Sequence, residues 1–324
     1  MIHTRPFCDI SDILDFYVSD VIARIAVPLF FAISGYLFFG NLNYQNGKIK
    51  KCTENRKKLL AYLKKNLIIY LDCSIVYFIF QLPQWYQMGW WGKVLIKDYL
   101  VAFFFKGTYY HLWYLIAVIY AFPLLYLLRS RISKKNFQRI ILCLWIGECL
   151  LYSYDWIGTD GISWLMRMQE FFSACFDAVF RALPLIGIGV LCIDNHEKPK
   201  RNSGVFAVLA FLVCAVEALV LRFYTPNHGK YSYILFTPIM TYFILNWLVC
   251  NRKKGNPVLG ILFRKSSLAI YCLHPLVIKS LELAGVKSHF HLWIFVTIIS
   301  VGIAFIWTIV KGQLQQQRII LRER

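Results

Sequence analysis

Apolar stretches of about 17–25 residues recur along the whole chain, the length a helix needs to cross a hydrocarbon core of about 30 Å. Nine such spans are predicted, at 19–39, 66–82, 112–128, 138–153, 172–193, 204–222, 231–249, 266–282 and 291–310. The fourth is the weakest, because its uninterrupted apolar part is short and contains Glu148. Backbone polar groups in lipid must be satisfied within each span, so runs of this length predict helices. The two-residue alternation of a membrane barrel is absent. The pattern therefore predicts an all-α polytopic membrane protein, a bundle of about nine visible transmembrane helices with no stretch left over for a separate soluble domain.

Composition supports this. Of 324 residues, 58% are hydrophobic and only 16% charged, with a mean hydropathy of +0.53. Soluble domains carry about a quarter charged residues, so the composition argues strongly against a soluble enzyme of this size. The formal charge of +19 would suit nucleic acid, and its distribution decides otherwise. The loops 40–65, 129–139, 194–203, 250–265 and 311–324 hold 25 Lys and Arg, and the loops on the opposite side hold 7. Strict alternation of this kind places the basic loops and the C-terminus in the cytoplasm, with the lipid bilayer as the partner and no role for nucleic acid. Nine spans then put Met1 outside the cell. The ten cysteines show no CxxC pair and no metal-type spacing with histidine, and no metal site is expected.

Ionisable groups within spans are costly and count as functional candidates. Here they are Arg24, Asp72, Glu148, Asp177, Arg181, Glu217, His274 and Lys279. Asp177 and Arg181 lie four apart on one helix face and are expected to neutralise each other. Glu217 and Lys279 lie near span ends, where long side chains reach water. Among the histidines, His196, His228, His289 and His291 fall in loops or at interfaces and read as solvated. His3 precedes an acidic stretch (Asp9, Asp12, Asp15), His111 opens the run HisLeuTrpTyrLeu, and His274 closes IleTyrCysLeuHis. An imidazole of near-neutral pKa can take a proton from a hydroxyl acceptor, and packed structural histidines are the common alternative.

Four segments, in order, resemble the integral-membrane acyltransferase-3 family. Arg24-Ile-Ala-Val-Pro-Leu-Phe-Phe-Ala-Ile-Ser-Gly-Tyr-Leu37 is similar to that family's second helix. Lys64 and Lys65 leading into AsnLeuIleIleTyrLeu resemble the cytoplasmic start of its third. HisLeuTrpTyrLeu at 111–115 resembles the fourth-helix entry, and IleTyrCysLeuHisPro at 270–275 the ninth. The family's Arg-x-x-Arg pattern is not kept, since Tyr62 and Lys65 stand at the two positions. The resemblance implies ten helices, the first ending in a catalytic histidine that His3 matches. Most of that helix would then lie upstream of Met1, which makes both termini cytoplasmic. Residues 1–311 are expected to form one transmembrane acyltransferase-like domain, with 312–324 a short cytoplasmic tail.

The implied reaction moves an acyl group, acetyl in the simplest case, from cytoplasmic acyl-CoA to a hydroxyl of an extracytoplasmic glycan or lipid-linked sugar. His3 would be the base, and Arg24 would serve the reacting centre as a guanidinium needing an anionic partner. Lys64 and Lys65 would meet the coenzyme A phosphates, and His111, Trp113, Tyr114 and His274 would line the substrate path. Ser34, Gly35 and Tyr36 read first as close helix packing. The acceptor either reaches the membrane or is served by a separate extracytoplasmic transferase. Two other classes fit the same features. One is a transporter of a small polar solute of the amino-acid uptake type, because buried charges and prolines within spans suit a moving bundle. The other is an inactive truncated remnant. Membrane-bound O-acyltransferases, which also use an intramembrane histidine, fit the order of segments less well.

Overall fold

The computed structural model describes residues 2–90, 92–154, 168–194, 202–224, 234–251 and 257–322. Among these residues the chain is helical apart from short connections and one two-stranded hairpin. The helices are α1 (Asp12–Asp15), α2 (Ala26–Phe39), α3 (Thr53–Gln87), α4 (Lys93–Val101), α5 (Trp113–Arg131) and α6 (Lys134–Tyr152), followed by α7 (Ser173–Phe176), α8 (Leu183–Asp194), α9 (Ser203–Tyr224), α10 (Thr237–Cys250), α11 (Pro257–Leu283) and α12 (His289–Arg322). π-Helical segments at Phe16–Ile22, Ala102–Lys106 and Asp177–Ala182 interrupt or extend them.

Among the described residues, six runs are long and apolar enough to cross a membrane: Asp12–Phe39, Thr53–Gln87, Trp113–Arg131, Ser173–Ile193, Ser203–Tyr224 and His289–Val310. The other three predicted spans also fall on helices. Residues 138–153 lie in and just beyond α6, the described part of 231–249 overlaps all but the last residue of the 14-residue α10, and 266–282 lies within α11. The protein is an all-α polytopic membrane protein. Its exposed apolar residues, such as Ile68, Ile75, Ile79, Val216 and Ile298, are what lipid solvation allows.

The largest departure from the predicted spans is α3. At 35 residues it is about 52 Å long, well beyond a hydrocarbon core of about 30 Å. Lys, Arg, Glu and Leu at 54–65 are good helix formers with no breaker among them, so the helix begins a dozen residues before its apolar part. Lys64 and Lys65 stand exposed on this extension.

Contacts divide the chain into two compact units, Arg24–Asn251 and Met1–Ala23 with Arg252–Arg324. In the larger unit α8 is central. Every residue from Leu183 to Val190 is buried, and a helix apolar all round belongs in an interior. α2 crosses it at glycines: a Cβ on Gly35 would sit 2.3 Å from the Ile186 carbonyl oxygen, and one on Gly189 2.1 Å from that of Ala32. No side chain fits there, so the two backbones touch. Phe31, Phe39, Phe122, Phe137, Ile141 and Trp145 fill the surrounding core. Between α2 and α3 the strands Tyr44–Gln45 and Lys48–Ile49 pair antiparallel around Asn46-Gly47, both in the left-handed region that such a hairpin requires. The buried Asn55 ties this hairpin to α3 by accepting from Asn43 N–H and donating to the Asn43 and Lys50 carbonyls.

In the second unit α11 and α12 pack around Val277, Ile278, Leu292 and Val296. Residues 2–11 lie against this pair, with Phe7 beside Phe290 at 6.1 Å between ring centroids.

Candidate functional site

The second unit brings two of the sequence-predicted histidines together. The rings of His3 and His274 stack with centroids 5.5 Å apart and planes inclined by 29°. His274 Nδ1 lies 3.1 and 2.9 Å from the carbonyl oxygens of Ile270 and Tyr271. A carbonyl only accepts, so Nδ1 carries the proton and the lone pair of the neutral ring is on Nε2. The segment bearing His3 is pinned by the two residues that follow it. The buried Thr4 presents its carbonyl to His289 Nδ1 at 2.9 Å, and Arg5 reaches two carboxylates.

Arg5 adopts φ +44°, an uncommon conformation for a residue with a long side chain. Its Nε donates to Asp15 at 2.8 Å and its Nη2 to Asp20 at 2.9 Å. Asp15 also accepts from the Phe7 N–H and the Ser19 hydroxyl. The Asp15 hydrogen bond, the Asp20 charge and that of Asp15 raise the Arg5 pKa despite partial burial, so the guanidinium stays charged. Two buried carboxylates thus face one half-exposed guanidinium, with the backbone held in a costly conformation to permit it.

The larger unit holds a separate charged cluster. Arg181 donates through Nε to Glu148 at 2.7 Å and pairs through Nη1 with Asp177, also at 2.7 Å. The expected Asp177–Arg181 pair is therefore present, and Glu148 joins it from α6. The guanidinium carbon lies 5.2 Å from the centroid of Trp113 and 4.9 Å from that of Tyr152, so the cation is also held by aromatic faces. Asp177 and Arg181 occupy one π-helical segment, and Ser19 and Asp20 another, a distortion common at functional positions.

Trp113 and Tyr114 meet at this end of α5. Phe31 packs on both, and the Tyr114 hydroxyl lies 3.5 Å from Ser34 Oγ, which links the HisLeuTrpTyrLeu and SerGlyTyr segments. His111 is buried and set edge-on among Tyr77, Tyr109 and Tyr110. Arg24 is half-buried in the 3₁₀ turn Ala23–Ile25 that leads into α2. Glu217 serves structure: its carboxylate accepts from the Tyr154 hydroxyl and from the N–H groups of Leu235 and Phe236, the otherwise orphaned donors at the start of α10. Lys279 pairs with Glu282 at the surface, 3.2 Å away. Asp72 is exposed on α3.

Sequence reasoning missed Arg5 with Asp15 and Asp20, and the partnership of Glu148 with Arg181. It also counted Arg129 as a loop charge. That side chain is 1% exposed, with its guanidinium over the rings of Tyr44 and Phe137. The acidic stretch after His3 was the available signal for the first, and no spacing rule joins residues 33 apart for the second.

A polytopic helical bundle with buried charges and paired histidines is a membrane protein built around polar chemistry. A family model described as an acyltransferase domain matches residues 1–311, and the chain belongs to that acyltransferase-3 family. It is 28% identical over 291 residues to an amino-acid racemase of Enterococcus faecalis, covering 86% of this chain and 38% of the relative. It is 26% identical over 304 residues to a serine/alanine racemase of Enterococcus gallinarum, covering 88% and 40%. The chain thus spans about two fifths of the length of these curated relatives. No solved structure matches it.

Proposed function

We propose that this protein is an O-acyltransferase of the plasma membrane. It moves an acyl group, acetyl in the simplest case, from cytoplasmic acyl-CoA to a hydroxyl of an extracytoplasmic glycan or lipid-linked sugar. The observation that carries the reading is His3 stacked on His274 in a segment anchored through Thr4 and Arg5. In this reading His3 takes the proton of the acceptor hydroxyl. The oxygen forms its bond to the thioester carbon, the carbon–sulfur bond breaks, and the proton passes from the imidazolium to the departing thiolate. His274 orients the His3 ring, and the carboxylates of Asp15 and Asp20 steady the segment that carries it by holding Arg5. The cytoplasmic extension of α3, with Lys64 and Lys65, attracts the polyanionic donor, for which lysine acts as a point charge. Arg24 supports the reacting centre, while His111, Trp113 and Tyr114 bound the substrate path.

The test is base-labile acetate on cell-envelope glycans, comparing the native strain with His3→Ala at the chromosomal locus. Loss of acetate at normal membrane abundance of the protein is expected. Unchanged acetate, with a full deletion also unchanged, overturns acetyl transfer.

A second reading, uptake of a small amino acid, rests on the Arg181–Glu148–Asp177 cluster, which sets one cation and two carboxylates where a zwitterion would need them; the relatives named as amino-acid racemases supply only the class of molecule. Counterflow of serine in vesicles without any acyl donor would establish it, and its absence with acetyl transfer intact would dismiss it.

A further inference from the structure

We propose that Cys8, Asp9 and His289 form a three-ligand site for a divalent cation of the zinc class, which fastens the His3-bearing segment to the start of α12. The Cys8 thiol sulfur, one Asp9 carboxylate oxygen and one His289 ring nitrogen all lie within 4.8 Å of one another. Ligands at zinc distances around a tetrahedron are about 3.3–3.8 Å apart, so closure needs shifts of about an ångström. Thiol, carboxylate and imidazole together suit zinc or cobalt and not calcium or magnesium, which take oxygen ligands.

The hydrogen bonds around these groups favour a metal in three ways. Cys8 Sγ donates to Asp9 Oδ1 at 3.6 Å, so a single thiol proton occupies the space between two of the ligands. A cation replaces that proton: the thiol loses it to solvent, and both sulfur and Oδ1 turn to the metal. The other carboxylate oxygen, Asp9 Oδ2, is held by the His289 backbone N–H at 3.1 Å, which fixes the group. His289 Nδ1 lies 2.9 Å from the Thr4 carbonyl, which takes its proton and leaves the lone pair on Nε2. Metal-bound histidines are oriented by such a carbonyl or carboxylate partner. Cys8 and His289 are half-buried and Asp9 is exposed, so a fourth position stays open to water, as in zinc sites with three protein ligands. The four residues between His3 and the ligand pair include Thr4 and Arg5, which anchor the histidine. The proposal does not depend on which reaction the protein performs.

The test uses the full chain, purified in detergent and stripped with chelator. Zinc is added, metal per chain is measured, and alkylation of Cys8 is followed by mass spectrometry of its peptide. One zinc per chain and at least about a tenfold slowing of Cys8 alkylation are expected, and cobalt should give a thiolate charge-transfer band. Asp9→Asn and His289→Ala should each weaken zinc binding by about tenfold or more, since even the loss of an outer partner costs that much. The protection and cobalt readings need no variant, so a variant that fails to fold does not protect the idea. Alkylation of Cys8 at the same rate with and without zinc overturns the proposal, as does zinc binding unchanged in Cys8→Ser.

Discussion

Arg181 and Glu148 lie 33 residues apart in sequence and 2.7 Å apart in space, both nearly sealed from solvent. With Asp177 they form a cluster of one cation and two carboxylates, so the cation is the member that cannot be spared. Breaking a buried pair from one side costs about 3–5 kcal/mol, because the charge left behind is uncompensated. Arg181→Met is expected to lower thermal stability in detergent by that order. Asp177→Asn should cost much less, since it leaves a balanced pair. Equal melting shifts for the two variants would contradict this assignment of charges.

His3 and His274 should separate by role. A general base contributes about 10²–10⁴-fold, so His3→Ala should remove transfer by that factor at unchanged protein level. His274→Phe retains a ring for the stack and should lower the rate less, without abolishing the pH dependence that His3 confers. A pH–rate profile of purified protein distinguishes them, and loss of the profile in His274→Phe would exchange the roles.

Arg24 and the lysines of α3 act at different stages of the proposed reaction. Arg24→Ala is expected to abolish transfer while the protein remains in the membrane. Replacing Lys64 and Lys65 together by alanine should raise KM for the acyl donor with little change in kcat, because they contribute binding and not transition-state stabilisation. Retained activity in Arg24→Ala would remove it from the site.

The contact of α2 with α8 tolerates no added atom. Gly189→Ala would force a Cβ to 2.1 Å from a backbone oxygen, and overpacking of this kind costs about 1–3 kcal/mol or more. Gly47→Ala meets nothing within 4 Å and pays only for its φ of +68°. The expected order of melting temperatures is wild type, then Gly47→Ala, then Gly189→Ala.

Cys8 titrates above the usual thiol range, first because burial disfavours the thiolate and then because the Asp9 carboxylate lies beside it. Less thiolate is present at any given pH, so alkylation in chelator should be slow at pH 8 and rise with pH to a midpoint above that of an ordinary cysteine. Asp9→Asn removes the nearby charge and should move the midpoint down. A midpoint that does not move would show that Asp9 exerts no field on the thiol.

Much of this protein was legible in its sequence. Lipid imposes a minimum length of apolar chain and forbids unpaired backbone, so nine apolar runs led to helices at each of nine places. The Asp177–Arg181 pair was legible for the same kind of reason, because helix geometry brings residues four apart to one face. What the sequence could not give were contacts set by which helices pack together. Glu148 was a costly charge without a stated partner until α6 came to lie against the Asp177–Ala182 turn. Glu217 looked like a residue reaching for water until its carboxylate proved to hold the start of α10. His289 read as a solvated loop histidine, and no spacing rule could join it to Asp9, 280 residues away. Local rules follow from the covalent chain and reach only a few residues along it. The charged cluster and the anchored histidines depend on distant segments meeting, and only the tertiary structure decides that.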